Sequence, residues 1–398
     1  MEKCPTDIKQ TARNMLEGNI IPFWQGLRDE IHGGYYGHMD IDLKVNQKAD
    51  KGCILNSRIL WFFSEAARIL RRDDLLDDAR HAYNFLAQNC IDKVNGGIYW
   101  SVTYDGKPAD TTKHTYNQAF AVYALSAYYE ASGDKTALET AREIFTLIEE
   151  RFTNSGGYGE AYDCALNPIE NDKLSENNII AARTMNTILH LFEAYSGLYR
   201  AARDGKAAEK MRFILDIFSN KLYNPELQRQ DVFFDSNWEN LIDLTSYGHD
   251  IESSWLVEWG AGLLDGDEDA SLRETVSGIC SALADGTYEK AYRENSLRNE
   301  CLGDEQDEKR VWWVQAEAVV GFLNMARKHP EQTKYQKASE NILSFIKEKI
   351  IDKRPGSEWL SEVMPDGSHT PSRRAIVEEW KCPYHNGRMC LTLLSADY

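Results

Sequence analysis

The stretch Gly96-Gly97-Ile98-Tyr99, read with Gly33-Gly34-Tyr35-Tyr36 before it and Gly156-Gly157-Tyr158 after it, decides the fold. These glycine-aromatic signals recur about sixty residues apart, and Gly286-Thr287-Tyr288 and Gly356-Ser357-Glu358-Trp359 recur about seventy apart, so one structural unit is repeated. Each signal is expected to open a short hairpin, with Asp105-Gly106 and Asp366-Gly367 as candidate turns. A further unit near 231–240 fits the gap.

Between the signals the apolar residues follow the helix period. Leu75, Ala79, Ala82 and Leu86, for example, share one face beside charged neighbours. The same reading predicts helices over 5–26, 54–71, 74–90, 115–132, 134–152, 178–203, 207–222, 248–265, 268–285, 311–328, 333–350 and 385–396. Tight turns such as Ser132-Gly133-Asp134-Lys135, Arg71-Arg72-Asp73-Asp74 and Leu264-Asp265-Gly266-Asp267 alternate with connections of roughly 20 to 40 residues. Six helix pairs in 398 residues give about 66 residues per unit. The economical closure is an all-α (α/α)6 barrel, one domain over 1–398, with short β-hairpins in the long connections at one mouth. The helix after each long connection is expected inside, and the helix leading into the next one outside.

With 42% hydrophobic and 27% charged residues, the chain has the composition of a globular protein with a large core. A formal charge of −18 repels phosphate backbones and anionic membrane surfaces, which argues against nucleic acid or lipid as the main partner. The amino terminus lacks the apolar core of a signal peptide and no long apolar run follows, so a cytoplasmic protein is expected. Eight scattered cysteines without a Cys-x-x-Cys motif suit free thiols in a reducing compartment. Cys382, His385 and Cys390 have no usual metal-ligand spacing, and no phosphate-binding glycine loop is present, so neither metal nor nucleotide cofactor is expected.

In such a ring, a site forms near the amino-terminal ends of the inner helices. Those positions hold Arg58, Tyr116, Asn186 with His190, His249 with Glu252, Trp312 and His385. His249 and Glu252 are three apart on one helical face, where they could address one ligand or satisfy buried backbone groups. His385 follows Pro383 at the start of the last helix, as a functional group or as a cap. The Trp312-Trp313 pair and Trp380 offer flat faces for a pyranose ring or for the core, and Arg58, Tyr116 and Asn186 could bind sugar hydroxyls.

Ile21-Pro22-Phe23-Trp24, Lys48-Ala49-Asp50-Lys51-Gly52, Ser57-Arg58-Ile59-Leu60-Trp61, Lys113-His114-Thr115-Tyr116-Asn117 and Thr184-Met185-Asn186 form an ordered series. It continues through Ser246-Tyr247-Gly248-His249-Asp250-Ile251-Glu252, Val311-Trp312-Trp313-Val314-Gln315-Ala316-Glu317 and 380–388. In this order the chain resembles the N-acylglucosamine 2-epimerase superfamily. The resemblance implies an (α/α)6 barrel with the site in its mouth, and cofactor-free epimerisation at C2 of the reducing-end sugar of a small-molecule disaccharide; a monomer is expected, with an oligomer left open. It implies His249 and His385 as the acid/base pair, with Glu252 holding or tuning His249 and His190 assisting ring opening. Arg58, Tyr116 and Asn186 then bind sugar, Arg58 also stabilising enediolate charge, and Trp312 and Trp380 make the aromatic contacts. Rival readings are N-acetylglucosamine epimerisation or mannose isomerisation, a glycoside hydrolase using carboxylates among Asp250, Glu252 and Glu317, and a non-catalytic sugar-binding protein.

Overall fold

The computed structural model describes residues 8–154, 156–174 and 179–395. Cys4 and the outermost residues of three predicted helices (5–7, 178 and 396) lie outside them. Twelve long helices follow one another: α1 (8–25), α2 (Cys53–Leu70), α3 (73–90), α4 (Thr115–Ser132), α5 (135–152), α6 (Met185–Ala202), α7 (205–222), α8 (Tyr247–Gly262), α9 (267–291), α10 (Trp312–Lys328), α11 (333–350) and α12 (His385–Ser395). The even-numbered helices pack side by side in sequence order, and α12 returns to α2 to close the inner ring. Each outer helix lies against its inner partner, with α1 against α12. The (α/α)6 barrel expected from the repeat is therefore the fold.

The inner and outer helices differ in the way their positions demand. In α2 every residue from Cys53 to Ala67 is buried, and in α4 every residue from Thr115 to Tyr128. The outer α3 buries only a stripe that includes Leu75, Ala79, Ala82 and Leu86 and leaves its charged face in water. Gly133 ends α4 in the left-handed conformation, as its tight turn requires.

The long connections gather at the mouth where the inner helices begin. The short strand before an inner helix pairs with a strand of the following connection: 51–52 with 101–102, 113–114 with 161–162, 183–184 with 233–234, 244–246 with 300–302, and 310–311 with 362–363. A buried cation in most of these strands is latched to the loop of its own connection. Lys51 Nζ meets Asp29 at 2.6 Å, Lys113 Nζ meets Asp92 at 2.6 Å, and Lys381 meets Glu358 ahead of α12. Arg183 donates to Asn154 at 2.7 Å and Arg310 to Ser296 Oγ at 2.8 Å. Buried pairs of this kind fix register more than they add stability. Here they stand just ahead of five of the six inner helices, α8 excepted.

The glycine signals mark where this latch needs space. Gly97 has φ +74°, and a Cβ there would sit 2.7 Å from Gln118 Oε1, which accepts the Ile98 N–H in the same turn. Gly286 is different. It lies inside α9, which runs on to Ala291, rather than opening a hairpin. A Cβ on Gly286 would stand 2.7 Å from the Gln228 carbonyl, so close packing, not a turn, accounts for this glycine. The hairpin of that unit pairs Tyr292–Arg293 with Ser296–Leu297 and turns through Glu294 and Asn295, both at positive φ without a glycine to announce it. The helix expected over 178–203 starts only at Met185, because Arg183 and Thr184 are drawn into a strand against Phe233 and Phe234.

Candidate active site

A cavity of about 390 Å³ opens at the mouth where the inner helices begin. Arg58 of α2, Tyr116 of α4, Asn186 and His190 of α6, His249 of α8, Trp312 and Trp313 of α10, and His385 of α12 all line it, so each inner helix contributes. Trp380 joins them from the last connection. Glu252 is the one nominated residue that does not reach the cavity wall; it is fully buried one turn deeper.

The two histidines meet on one indole. The Trp313 ring lies 4.8 Å from the His249 ring and 5.3 Å from that of His385. Burial depresses both: His249 falls to about 3, with His190 adding to the effect, and His385 falls well below the ordinary histidine range, Arg388 and Arg58 reinforcing burial. Their second nitrogens differ in partner. His385 Nδ1 is 2.8 Å from Glu317 Oε1, a side-chain partner and not the helix backbone, and His249 Nδ1 is 2.7 Å from Ser246 Oγ. The expectation that Glu252 tunes His249 is therefore corrected. Histidine side chains on a helix lean toward its amino terminus, so His249 turns back to Ser246 while Glu252 sits beneath.

Below the histidines lies an ionic floor. Arg388 of α12 donates to Glu193 of α6 at 2.5 Å, to Glu317 of α10 at 2.7 Å, and to Glu252 of α8. Glu193 also holds His190 Nδ1 at 2.9 Å and accepts from the Tyr384 hydroxyl. Burial works to raise the Glu193 carboxyl, but Arg388, His190 and Tyr384 outweigh it and hold it at about 2. Glu252 goes the other way, pushed up to about 7 by burial and by Glu317 against the pull of Arg388. Its Oε1 lies 3.9 Å from His385 Nδ1. Glu252, Glu317 and His385 are close enough together to ligate an ion, but the guanidinium of Arg388 already bridges the two carboxylates.

Arg58 is a second buried cation with a different setting. Its guanidinium stacks 4.1 Å from the Phe120 ring centre and donates to Tyr116 Oη at 2.6 Å, with no carboxylate partner among the described residues. Burial raises the Tyr116 phenol to about 12 despite Arg58, so the phenol stays protonated. Asn186 Oδ1 and Trp312 Nε1 are buried without a hydrogen-bond partner, at the cavity wall. An unpaired cation and orphaned polar groups around a cavity suit a neutral, hydroxylated ligand that acquires negative charge.

The carboxylates considered for hydrolysis do not flank this cavity. Glu252 and Glu317 are locked on Arg388, and Asp250 faces the neighbouring hairpin, accepting from the Gln230 N–H at 2.9 Å. Reading the sequence by mouth positions alone passed over Glu193, Tyr384, Arg388 and Ser246 as site residues. A signal was present for two of them: Glu193 and Arg388 stand three residues after His190 and His385, the spacing that singled out Glu252 after His249.

A family model described as N-acylglucosamine 2-epimerase (GlcNAc 2-epimerase) matches residues 34–385. The chain belongs to the N-acylglucosamine 2-epimerase family. Within that family it is 49% identical to the cellobiose 2-epimerase of Eubacterium cellulosolvens, over 97% of this chain and 98% of the relative. A crystal structure of a sugar epimerase from a ruminal bacterium superposes with a TM-score of 0.95 at 46% identity, covering 98% of this chain and all of that one. The cellobiose 2-epimerase of Bacillus thermoamylovorans B4167 gives 0.92 at 41% identity, with 97% and 98% covered. A carbohydrate epimerase is what these likenesses and the family model together describe.

Proposed function

We propose that the protein interconverts glucose and mannose at the reducing end of β-1,4-linked disaccharides, cellobiose and with it lactose, by proton transfer at C2. The observation that carries this reading is the pair His249 and His385, both in one cavity on one indole, beside a guanidinium free of carboxylates. Near-full-length identity to relatives called cellobiose 2-epimerases supports the substrate class. The seven described cysteines are free thiols, in keeping with a cytoplasmic enzyme, which we take to act as a monomer.

In this reading His190 assists ring opening of the reducing-end sugar. Neutral His249 then takes the C2 proton on Nε2, and the C–H electron pair becomes part of an enediolate whose charge on O1 and O2 is met by Arg58. The opposite face receives the Nε2 proton of His385 while its Nδ1 takes a proton from the Glu317 carboxyl 2.8 Å away, which shares one with Glu252. That group shares a proton near neutrality, because the Glu252 carboxyl sits at about 7. The reverse reaction exchanges the roles. No redox step or external acceptor is needed, and the cationic role a metal could fill is taken by Arg58.

The test is incubation with cellobiose in heavy water, with a chelator present and no ATP. The expected product is 4-O-β-glucosylmannose carrying deuterium at C2 of the reducing sugar. Release of monosaccharides would point to hydrolysis and a ketose product to isomerisation. Activity that vanished with the chelator and returned with a divalent ion would overturn the metal-free scheme.

A further inference from the structure

The two histidines are held by chemically different partners. Glu317 is a carboxylic acid whose pKa is raised by burial: ionised, it only accepts, which holds Nδ1–H and leaves Nε2 of His385 as a base, and protonated it donates to Nδ1, which leaves the proton on Nε2 as the acid. Ser246 is a hydroxyl, and a hydroxyl can accept from or donate to the ring. If it donates, Nδ1 of His249 carries the lone pair, Nε2 carries the hydrogen, and neutral His249 is unable to take a proton from C2.

We propose that Ser246 is the positioning residue that keeps His249 in its proton-accepting form, by accepting from Nδ1–H. This inference rests on the epimerase reading above. Three observations support it. Ser246 ends the strand 244–246, whose backbone is paired residue by residue with 300–302, so its Cβ is fixed immediately before α8. Ser246 and His249 are both on the cavity wall, and no side chain other than Ser246 bonds His249 Nδ1 among the described residues. Trp313, 4.8 Å from the imidazole, supplies a face and not a competing acceptor. The other titratable groups facing His249 are His190 and His385, neither of which is hydrogen-bonded to it among the described residues.

The arrangement makes one histidine rigidly set and the other softly set. His385 keeps one tautomer as long as Glu317 is ionised, whereas His249 depends on a single neutral hydrogen bond. Loss of that bond lowers the share of the active tautomer without touching sugar contacts, so it acts on turnover and not on binding.

The experiment compares the parent with Ser246→Ala and Ser246→Thr, measuring kcat and KM for cellobiose, thermal melting, and the 15N resonances of His249. Ser246→Ala is expected to lose about tenfold in kcat, the worth of one ordinary hydrogen bond, with KM unchanged. Ser246→Thr restores the hydroxyl and is expected to restore kcat. The parent and the threonine variant should show Nδ1–H on His249, and the alanine variant a mixture of tautomers. A normally folded alanine variant with parental kcat overturns the proposal, as does one in which only KM rises. If the alanine variant fails to fold, the parent spectrum still decides: Nε2–H as the dominant neutral form overturns the proposal. A parent that forms no 4-O-β-glucosylmannose from cellobiose defeats the epimerase reading instead, while the tautomer of His249 remains readable.

Discussion

Replacing Arg388 with methionine should destabilise the protein in a way that depends on pH. The guanidinium is buried and is shared by Glu193, Glu252 and Glu317, which come from three different inner helices. Removing one partner of a buried ionic group leaves uncompensated charge and typically costs about 3–5 kcal/mol. At about 2.1 cal/mol/K per residue, unfolding entropy for a chain of 398 residues is roughly 0.8 kcal/mol/K, so Tm should fall by about 4–6 °C near neutral pH. In the variant the glutamates are buried without their counter-charge, so their folded pKa values rise above the unfolded value of about 4.3. Carboxylates shifted in that direction are tolerated while protonated, and stability is lost as pH rises through the folded pKa. The gap in Tm between parent and variant should accordingly be narrow at pH 5 and wide at pH 8. Melting followed by circular dichroism at several pH values measures it. A gap of under 1 °C, or one that is constant from pH 5 to 8, would refute the claim that Arg388 neutralises this floor.

His385→Asn should keep a near-parental Tm and ligand binding while turnover drops by roughly 10²–10⁴-fold, the usual contribution of one general acid/base; parental turnover in a folded variant would remove His385 from the chemistry. Trp312→Ala and Trp380→Ala should raise KM about tenfold with a smaller effect on kcat, because stacking area is lost while both histidines stay; a change confined to kcat would assign these rings to the transition state. In the parent, kcat/KM should turn down on the alkaline side as the group formed by His385, Glu317 and Glu252 gives up the shared proton, near the value of about 7 for Glu252; a profile flat to pH 9 would refute that source of the proton.

The repeat was legible because its causes are local. Gly34 and Gly97 recur where a left-handed residue must pass close to a helix, to Phe85 in one unit and to Gln118 in the next, and only glycine fits. Gly286 misled because a glycine also permits close helix packing, and a composition signal is the same in both cases. The mouth residues were legible because polar groups in the first turns of fully buried helices need a reason to be there. The partners of those residues were not, since the bond from Glu317 to His385 joins residues 68 apart and that from Arg388 to Glu193 joins residues 195 apart. Closure of the ring decides such contacts, and one sequence does not carry them.

What the spacing did contain is the logic of the floor. His190, His249 and His385 each have a charged residue three positions later: Glu193, Glu252 and Arg388. Three residues advance the chain about 4.5 Å along a helix while staying on one face, so a histidine at the cavity wall implies a charge one turn deeper. Because the inner helices run in the same direction around the ring, those charges arrive at one level and must neutralise one another. Two of the three are acidic, Glu317 adds a third carboxylate at that level, and the one arginine is placed where it can reach all of them. The floor thus holds three acids against one fixed cation, an excess that favours retaining a proton, and burial raises both Glu252, to about 7, and Glu317, which share it. A barrel that must deliver a proton to a carbon atom has reason to keep such an imbalance directly under its histidines, and a fully neutralised floor would lack the proton that His385 returns.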